Sequence, residues 1–156
     1  MVTEATLVEI LDGDKLLLKK AGRGISKGRW NGVGGKLIEG EKPAEGAARE
    51  ALEETGLTVG KLFYHGLMSF HNHGKAEVDF AVHLFSTREF SGKLKKVSDD
   101  DGDIRWFKLE ELPWGEMWDD DRHWMPHMLG GERFDADFYF DEGNRTITKH
   151  EIRVMG

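Results

Sequence analysis

The sequence predicts a sandwich fold of the mixed α/β or α+β class, and three observations predict it. Strand-like segments recur along the chain, and two or three helical segments are interspersed among them. The length of 156 residues suits one domain with its own core, whereas two full domains would each be cramped. Hydrophobic residues make up 38% of the chain, and 20 glycines bring the apolar share to about half, which is usual for globular proteins.

The first two strands are predicted to form a hairpin. They run from Thr6 to Leu11 and from Lys15 to Lys20, and the turn sequence Asp12-Gly13-Asp14 joins them. Glycines follow at positions 22, 24, 28, 32, 34 and 35. So many glycines in a short stretch indicate a backbone that bends sharply or lets another group approach closely. A flexible surface loop is the alternative interpretation.

The clearest helix is predicted from Pro43 to Thr55. Proline suits a first helical turn, and Gly56 stands where a C-terminal cap belongs. At about 100° per residue, one side of the helix carries apolar residues and is expected to face the core. These residues are Ala44, Ala47, Ala48, Ala51 and Leu52. Three glutamates, Glu50, Glu53 and Glu54, gather on nearly the opposite side.

The second half of the chain alternates strands with short helical segments. Strands are predicted around residues 61–71, 78–86 and 104–108, and a helical turn at 109–112. A second helix is predicted from about Asp120 to Leu129, although Pro126 inside it lacks a backbone N–H donor. The carboxyl end predicts a hairpin of residues 134–140 and 145–154.

Composition and charge exclude several classes of protein. Asp and Glu exceed Lys and Arg by 29 − 22, so the net charge is −7, which argues against a binder of nucleic-acid polymers. The absence of cysteine excludes a disulfide scaffold and a thiolate metal site. No apolar run approaches the roughly 18 residues of a membrane span, and the amino end lacks a signal-peptide layout. We therefore expect a cytoplasmic protein with no membrane partner.

The three helix glutamates have two interpretations. Carboxylates at i, i+3 and i+4 that face water repel by only a few tenths of a kcal/mol per pair, so a solvated acidic face explains them. If they converge on one pocket, two charges about 4 Å apart repel by about 4 kcal/mol at an effective dielectric near 20, and a cation must lie among them. Oxygen ligands without cysteine or clustered histidine favour Mg²⁺ or Mn²⁺ over zinc.

A longer pattern surrounds this helix. Gly35 is followed by five residues, then Glu41, then seven residues, and then Arg49-Glu50-Ala51-Leu52-Glu53-Glu54-Thr55-Gly56-Leu57. This pattern resembles the Nudix box, of which every charged and glycine position is filled. Ala51 is the one departure, because Ile, Leu or Val is usual there. Since Ala51 belongs to the predicted core side, the departure concerns packing rather than chemistry.

The resemblance implies a Nudix hydrolase of α+β class, with an α/β/α sandwich, a mixed β-sheet and a catalytic loop-helix-loop. Residues 1–156 then form a single domain with Mg²⁺ as its cofactor, Mn²⁺ being possible. The box carries over metal carboxylates at Glu50, Glu53 and Glu54, a further ligand in the backbone carbonyl near Gly35, and a pair, Arg49 with Glu41, that holds loop and helix in register.

A second acidic element runs from Ser98 to Asp103 and precedes a strand containing Trp106. Nudix proteins often place a metal-binding or base-like carboxylate a few residues before such a strand. By spacing the predicted residue is Asp101, with Asp100 and Asp103 as rivals. A solvated turn rich in aspartate explains the run equally well.

Further stretches extend the resemblance over most of the chain. Residues 29–36, Phe70 and residues 117–126, together with the box, are similar to the MutT-related oxidised purine nucleoside triphosphatases, the 8-oxo-dGTP diphosphatase type. The resemblance assigns substrate-binding roles to Asn31, which hydrogen-bonds the purine, Trp118, which stacks on it, Phe70, which lines the pocket, and Asp120 and Asp121, which read its polar edge.

Each of these residues also has an ordinary structural explanation. Asn31 is a turn former, Trp118 and Phe70 are core aromatics, and one of the aspartates caps the second helix. In the functional interpretation, two carboxyls that converge on one base cannot comfortably both ionise. A proton that moves between them would let one pocket accept an oxidised guanine or an oxidised adenine.

The expected reaction is hydrolysis of an oxidised purine nucleoside triphosphate, such as 8-oxo-dGTP, to the monophosphate and pyrophosphate. This reaction would remove oxidised nucleotides from the nucleotide pool and so avoid DNA damage. The protein is expected to be a monomer or a homodimer. One alternative is another Nudix specificity, for undamaged nucleotides, nucleotide sugars or dinucleoside polyphosphates. Another is a catalytically silent nucleotide sensor, but such domains typically lose box carboxylates, which are all present here.

Overall fold

A mixed β-sheet forms the centre of the structure. The structure is a computed structural model and describes residues 1–22, 24, 26–96 and 103–156. The strands, numbered in chain order, are β1 (Thr3–Asp12), β2 (Lys15–Lys20), β3 (Trp30–Asn31), β4 (Val33–Lys36), β5 (Thr58–Val59), β6 (Phe63–His71), β7 (Phe80–Thr87), β8 (Phe90–Ser91), β9 (Asp103–Lys108), β10 (Arg133–Phe140) and β11 (Ile147–Met155). The α-helices are α1 (Pro43–Thr55) and α2 (Asp121–Leu129), and short 3-10 turns span Leu109–Glu111 and Trp114–Glu116.

The strand order makes this sheet mixed. Its main path runs β11, β10, β6, β7, β1, β2, β3, while β4 pairs with β1 and β9 pairs with β2. The pairs β1–β7 and β6–β10 are parallel, and the other pairs of this sheet are antiparallel. Strands β5 and β8 pair separately. The predicted sandwich class and the mixed sheet implied by the resemblance are confirmed.

Strand β1 forks the sheet near its middle. Residues 5–8 pair with β4, whereas Leu11 and Asp12 pair with β2. Glu9 lies between these two pairings on the same edge of the strand. Strand β2 therefore leaves β1 beside Glu9 and pairs with β3, whereas β4, joined to β3 through Gly32, pairs with β1.

Alternate residues of β1 face two different hydrophobic cores. Val8 and Ile10 pack in one core with Ala47 and Ala51 of α1. Leu7 and Leu11 pack in the other, which contains Trp124 of α2. Because alternate residues of a strand point to opposite faces, α1 and α2 cover opposite faces of the sheet.

Most predicted elements are confirmed, with corrections at the level of faces and short strands. The bounds of α1 match the prediction, and α2 continues through Pro126. Two members of the predicted apolar side of α1 are wrong, since Ala44 is exposed and Leu52 is 53% exposed. The predicted apolar side is too wide, because only the strip around Ala47 and Ala51 packs in the core. Across the described residues, no helix combines the length and apolar character needed to span a membrane.

Candidate active site

Helix α1 is capped at both ends, which fixes the direction of its glutamates. At its start the Oε1 of Glu45 accepts a hydrogen bond from the backbone N–H of Lys42 at 3.0 Å, as part of a capping box. At its end Gly56 takes a left-handed φ of 84°, and its N–H donates to the carbonyl of Leu52 at 3.0 Å. Residues 49–54 therefore project from a helix with defined ends.

Arg49 ties this helix to the loop before it. Its Nε and Nη2 donate to the two carboxylate oxygens of Glu41 at 2.7 and 3.0 Å, and Nη2 also reaches the carbonyl of Lys36 at 3.3 Å. The hydrogen bonds from Arg49, joined by one from the backbone of Ile38, lower the pKa of Glu41 to about 2. A bidentate pair of this kind fixes both distance and orientation.

The three box glutamates lie in different environments. The Nη1 of Arg49 donates to Glu50 at 2.9 Å and to Glu53 at 3.1 Å, and the side chain of Glu53 is 58% exposed. Glu54 instead turns towards the sheet, where its Oε1 accepts the N–H of Gly34 at 3.3 Å. Burial raises the pKa of Glu54 to about 7. Two of the carboxylates thus lie against Arg49, and burial affects the third most strongly.

Two glycines let the sheet approach these carboxylates. A Cβ added to Gly35 would lie 2.8 Å from Oε1 of Glu50. A Cβ added to Gly34 would lie 2.0 Å from the carbonyl oxygen of Thr6. Since real side chains do not tolerate such contacts, close approach, rather than a flexible loop, explains these two glycines.

The donors on this face fit a hard divalent cation. They are carboxylate oxygens from Glu50, Glu53 and Glu54, beside a backbone that glycine at position 35 leaves open. Among the side chains that the structure describes, no three acidic or histidine groups surround a common point, since Arg49 occupies two of these carboxylates. A metal there would compete with the guanidinium for the same oxygens.

The acidic run before β9 is only partly described. Asp101 and Asp100 lie outside the described residues, so the predicted role of Asp101 remains a prediction. Asp103, the other rival, begins β9, and its Oδ2 pairs with Arg105 at 2.7 Å. Its carboxylate is therefore engaged with a neighbouring cation.

A cleft of about 270 Å³ opens between β1, β3, β6 and the start of α2. Gly34 lies in its wall as well as against Glu54. The cleft brings together the five predicted substrate-binding residues, Asn31, Phe70, Trp118, Asp120 and Asp121. These residues come from three separate stretches of sequence, so their meeting depends on the fold.

Trp118 is held on two sides. Its Nε1 donates to the hydroxyl of Ser26 at 3.1 Å, and the guanidinium of Arg29 lies 4.2 Å from its ring centroid. Arg29 also donates to the carbonyl of Met117 at 3.4 Å. Trp118 is half-buried and lines the cleft, so it is not an ordinary core aromatic.

Asn31 departs from its structural explanation, whereas Phe70 keeps its role as a core aromatic. Asn31 lies in β3 opposite Lys19, not in a turn, and its side chain reaches Ser26 at 3.5 Å. Phe70 stacks on Phe138 with ring centroids 5.6 Å apart, so it belongs to the core and to the cleft wall together.

Asp120 and Asp121 are buried side by side at the start of α2, each 4% exposed. Asp120 accepts a hydrogen bond from Nε1 of Trp124 at 2.8 Å. Burial raises the pKa of Asp120 to about 6. Burial first, and the charge of Asp120 next, raise the pKa of Asp121 further. One of the two therefore keeps a proton near neutral pH.

The capping explanation of these aspartates is wrong for Asp120. Asp120 stands at the N-cap position, but its side chain makes no capping hydrogen bond to the helix backbone. Its oxygen is instead used by the indole of Trp124. The neighbouring Asp119 accepts from the backbone N–H of Ile147 at 2.8 Å, which ties the helix start to β11.

Glu9 is a buried acid that the sequence interpretation missed. It is 1% exposed, and burial raises its pKa to about 8. Its Oε1 fills the space beside Gly32, where an added Cβ would lie 2.1 Å away. The signal was present in the sequence, because Glu9 is the single charged residue in the otherwise apolar segment from Leu7 to Leu11.

Known proteins resemble this chain over most of its length. Residues 2–128 match the NUDIX domain family. The oxidized purine nucleoside triphosphate hydrolase of Mus musculus is 38% identical over 150 residues, which cover 96% of this chain and 94% of that protein. The oxidized purine nucleoside triphosphate hydrolase of Danio rerio is 37% identical over 147 residues, covering 94% of this chain and 92% of the relative.

Solved structures show the same fold. The crystal structure of the MutT protein from Bacillus halodurans superposes with a TM-score of 0.83 at 26% identity, covering 97% of each chain. A MutT NUDIX hydrolase from Burkholderia pseudomallei superposes with a TM-score of 0.66 at 24% identity, over 72% of this chain and 88% of the other. The second likeness concerns the fold alone.

Proposed function

The chain belongs to the Nudix hydrolase family, and from this premise we propose that it hydrolyses oxidised purine nucleoside triphosphates such as 8-oxo-dGTP. The products are the nucleoside monophosphate and pyrophosphate, and the reaction cleanses the nucleotide pool. Residues 1–156 act as a single domain, in the cytoplasm. The names of the mouse and zebrafish relatives support this substrate class.

One observation carries the proposal, namely that the cleft and the glutamate face meet at Gly34. This residue lines the cleft, and its N–H donates to Glu54 on α1. A nucleotide whose base enters the cleft therefore directs its phosphates across β4 towards the glutamates. The next residue of β4, Gly35, packs against Glu50, so the cleft wall and the glutamate face are adjacent along one strand.

Nudix hydrolases generally use a divalent metal, and we propose Mg²⁺ here, with Mn²⁺ as a substitute. Glu50, Glu53, Glu54 and the carbonyl near Gly35 would hold it. When bound, such an ion neutralises phosphate oxygens and lowers the pKa of a coordinated water. The chain's own residues provide the rest: Arg49 fixes the loop against the helix through Glu41, and Asp101 is proposed as a further carboxylate.

The cleft supplies recognition of the base. Trp118 offers a ring face for stacking, which contributes about 1–3 kcal/mol per base without selecting among bases. Selection comes from the polar groups, the amide of Asn31 and the carboxyls of Asp120 and Asp121. Because one of the two aspartates keeps its proton, the pair offers a donor and an acceptor to the edge of a purine.

A substrate panel with pyrophosphate detection tests this function. Specificity constants would be measured side by side for 8-oxo-dGTP, 2-hydroxy-dATP and dGTP, with ADP-ribose and a dinucleoside polyphosphate as other Nudix substrates. We expect the oxidised purines to lead. A higher constant for dGTP or ADP-ribose would contradict the proposed specificity, and metal binding without any hydrolysis would indicate a nucleotide sensor.

A further inference from the structure

Glu9 sits behind the base cleft with an unused oxygen. Its side chain is 1% exposed, and among the described residues its Oε2 has no hydrogen-bond partner. Its Oε1 packs against Gly32, a residue of the cleft wall. Leu7 and Leu11 flank it on the same face of β1. A carboxyl kept in such a place costs stability, which calls for a functional explanation.

The charges around Glu9 are unequal for the two aspartates. The charge of Glu9 opposes ionisation of Asp121, and Arg29 favours it more weakly. Asp120 is held in its charged form by the indole N–H of Trp124, while the charge of Asp119 opposes it. The arrangement therefore favours a negative charge on Asp120 and a proton on Asp121.

We propose that Glu9 is a positioning residue of the base cleft, which in its ionised form acts through Asp121 by keeping the proton on that carboxyl. The inference rests on the proposed function and sharpens it. With the proton fixed, Asp121 is a hydrogen-bond donor and Asp120 an acceptor, in one spatial order. The cleft then prefers one of the two oxidised purines, instead of serving both by moving the proton.

The two purines differ in the order of their edge groups. Oxidised guanine carries a carbonyl acceptor at C6 and donors at N1 and the 2-amino group. The keto form of 2-hydroxyadenine carries its donor at the 6-amino group and its carbonyl acceptor at C2. Since these orders are reversed, a fixed donor and a fixed acceptor fit one edge and leave unpaired groups against the other.

Glu9 makes this preference depend on pH. Burial raises the pKa of Glu9 to about 8, so its own negative charge develops above that pH. That charge then opposes any transfer of the proton away from Asp121. The preference of the cleft for one purine over the other should therefore increase as the pH rises past about 8 in the native protein. It should not increase in a variant that lacks the Glu9 carboxyl.

Binding of the monophosphates 8-oxo-dGMP and 2-hydroxy-dAMP tests the inference without turnover. Their dissociation constants would be measured by calorimetry in metal-free buffer between pH 6.5 and 9.5, for the native protein and for Glu9→Gln. We expect the ratio of the two constants to change about tenfold in the native protein, because a like charge shifts a neighbouring carboxyl by about one pKa unit or more. In Glu9→Gln it should change less than about twofold.

Two controls protect this comparison. Titration of the oxidised bases themselves affects both proteins equally and cancels. Glu4→Gln makes the same change on the same strand, where the side chain is 62% exposed, and should retain the native pH dependence. Glu9→Leu, which suits the flanking leucines, should behave like Glu9→Gln.

The possible outcomes separate the two proposals. An equal change of the ratio in the native protein and in Glu9→Gln would overturn the inference and leave the proposed function standing. Failure of the native protein to bind either monophosphate would overturn the proposed function, and with it the role of Glu9.

Discussion

The two acidic regions of this protein neutralise crowded carboxylates in different ways. On α1 and the loop before it, Glu50, Glu53 and Glu41 all lie against the guanidinium of Arg49. In the base cleft, burial raises the pKa of Glu9, Asp120 and Asp121, so protons rather than a salt bridge reduce their charge. The α1 region uses the guanidinium cation of Arg49, and the cleft region uses bound protons.

Exposure accounts for part of the difference. The side chain of Glu53 is 58% exposed, so water and counterions reach it and its charge is tolerated. Glu9, Asp120 and Asp121 are at most 4% exposed, where an unpaired charge is costly. We therefore expect the α1 region to respond to divalent metal, and the cleft region to respond to pH. The following predictions test this separation, from the largest expected effect to the smallest.

Removing one charge from the α1 region should abolish turnover and spare base binding. For Glu53→Gln we expect turnover of 8-oxo-dGTP to fall by about 1,000-fold, because a metal ligand is lost. Binding of 8-oxo-dGMP in metal-free buffer should be unchanged. Glu45→Gln, on the same helix, is the matched control, since glutamine also completes a capping box. Near-normal turnover in Glu53→Gln would overturn the assignment of the metal site.

Glu9→Gln should stabilise the protein, and more strongly at higher pH. Native Glu9 has a pKa of about 8 against an ordinary value of 4.5, so folding must protonate it between these values. Native stability therefore falls as pH rises from about 4.5 to about 8 and then levels off. The gain in unfolding free energy should be about 3 kcal/mol larger at pH 8 than at pH 5, at 1.36 kcal/mol per pKa unit.

Urea unfolding of the native protein and Glu9→Gln at the two pH values measures this gain. Glu4→Gln, whose carboxylate is largely exposed, provides the baseline. A gain that does not differ between pH 5 and pH 8 would mean that Glu9 is charged in the folded protein.

Asp120→Asn and Asp121→Asn should alter substrate preference unequally. Because Asp120 is the acceptor and Asp121 the donor, each substitution should weaken one oxidised purine more than the other, by about tenfold or more. Specificity constants for 8-oxo-dGTP and 2-hydroxy-dATP measure this, with Asp119→Asn as the neighbouring control. Equal losses for both substrates in both variants would contradict the paired roles.

Trp118→Phe should have the smallest effect. Phenylalanine keeps a ring face for stacking but loses the hydrogen bond from Nε1 to Ser26. We expect affinity for 8-oxo-dGMP to fall about threefold to tenfold, the cost of one neutral hydrogen bond. Trp118→Ala should lose about tenfold more, since stacking is lost as well. Similar affinities for the two variants would mean that the base does not stack there.

The sequence predicts the α1 region better than the cleft, for a physical reason. The bounds of α1 and its pattern of glutamates follow from local periodicity and caps, which neighbouring residues determine. The cleft joins distant segments, so only the resemblance predicted that Asn31, Phe70 and Trp118 lie together. The short strands β3, β4, β5 and β8 are not predicted from the sequence, because their pairing is also non-local.

Individual errors have similar causes. Leu52 was assigned to the core by helical spacing, but spacing alone does not say how wide the packed strip is. Asp120 was a candidate cap because of its position, yet the indole of Trp124 takes its oxygen. Glu9 was overlooked because an acid within a strand usually faces water, and only the fork of β1 shows that this one is enclosed.

The close packing at Gly34 limits how the substrate preference of such enzymes can change. No side chain fits at this position, because the carbonyl of Thr6 already occupies the space. A related enzyme with a different substrate therefore cannot carry a side chain at position 34, between the nucleobase and the phosphates. A change of substrate preference must therefore come from other residues of the cleft wall, such as Ser26 and Trp118, whose side chains line the cleft.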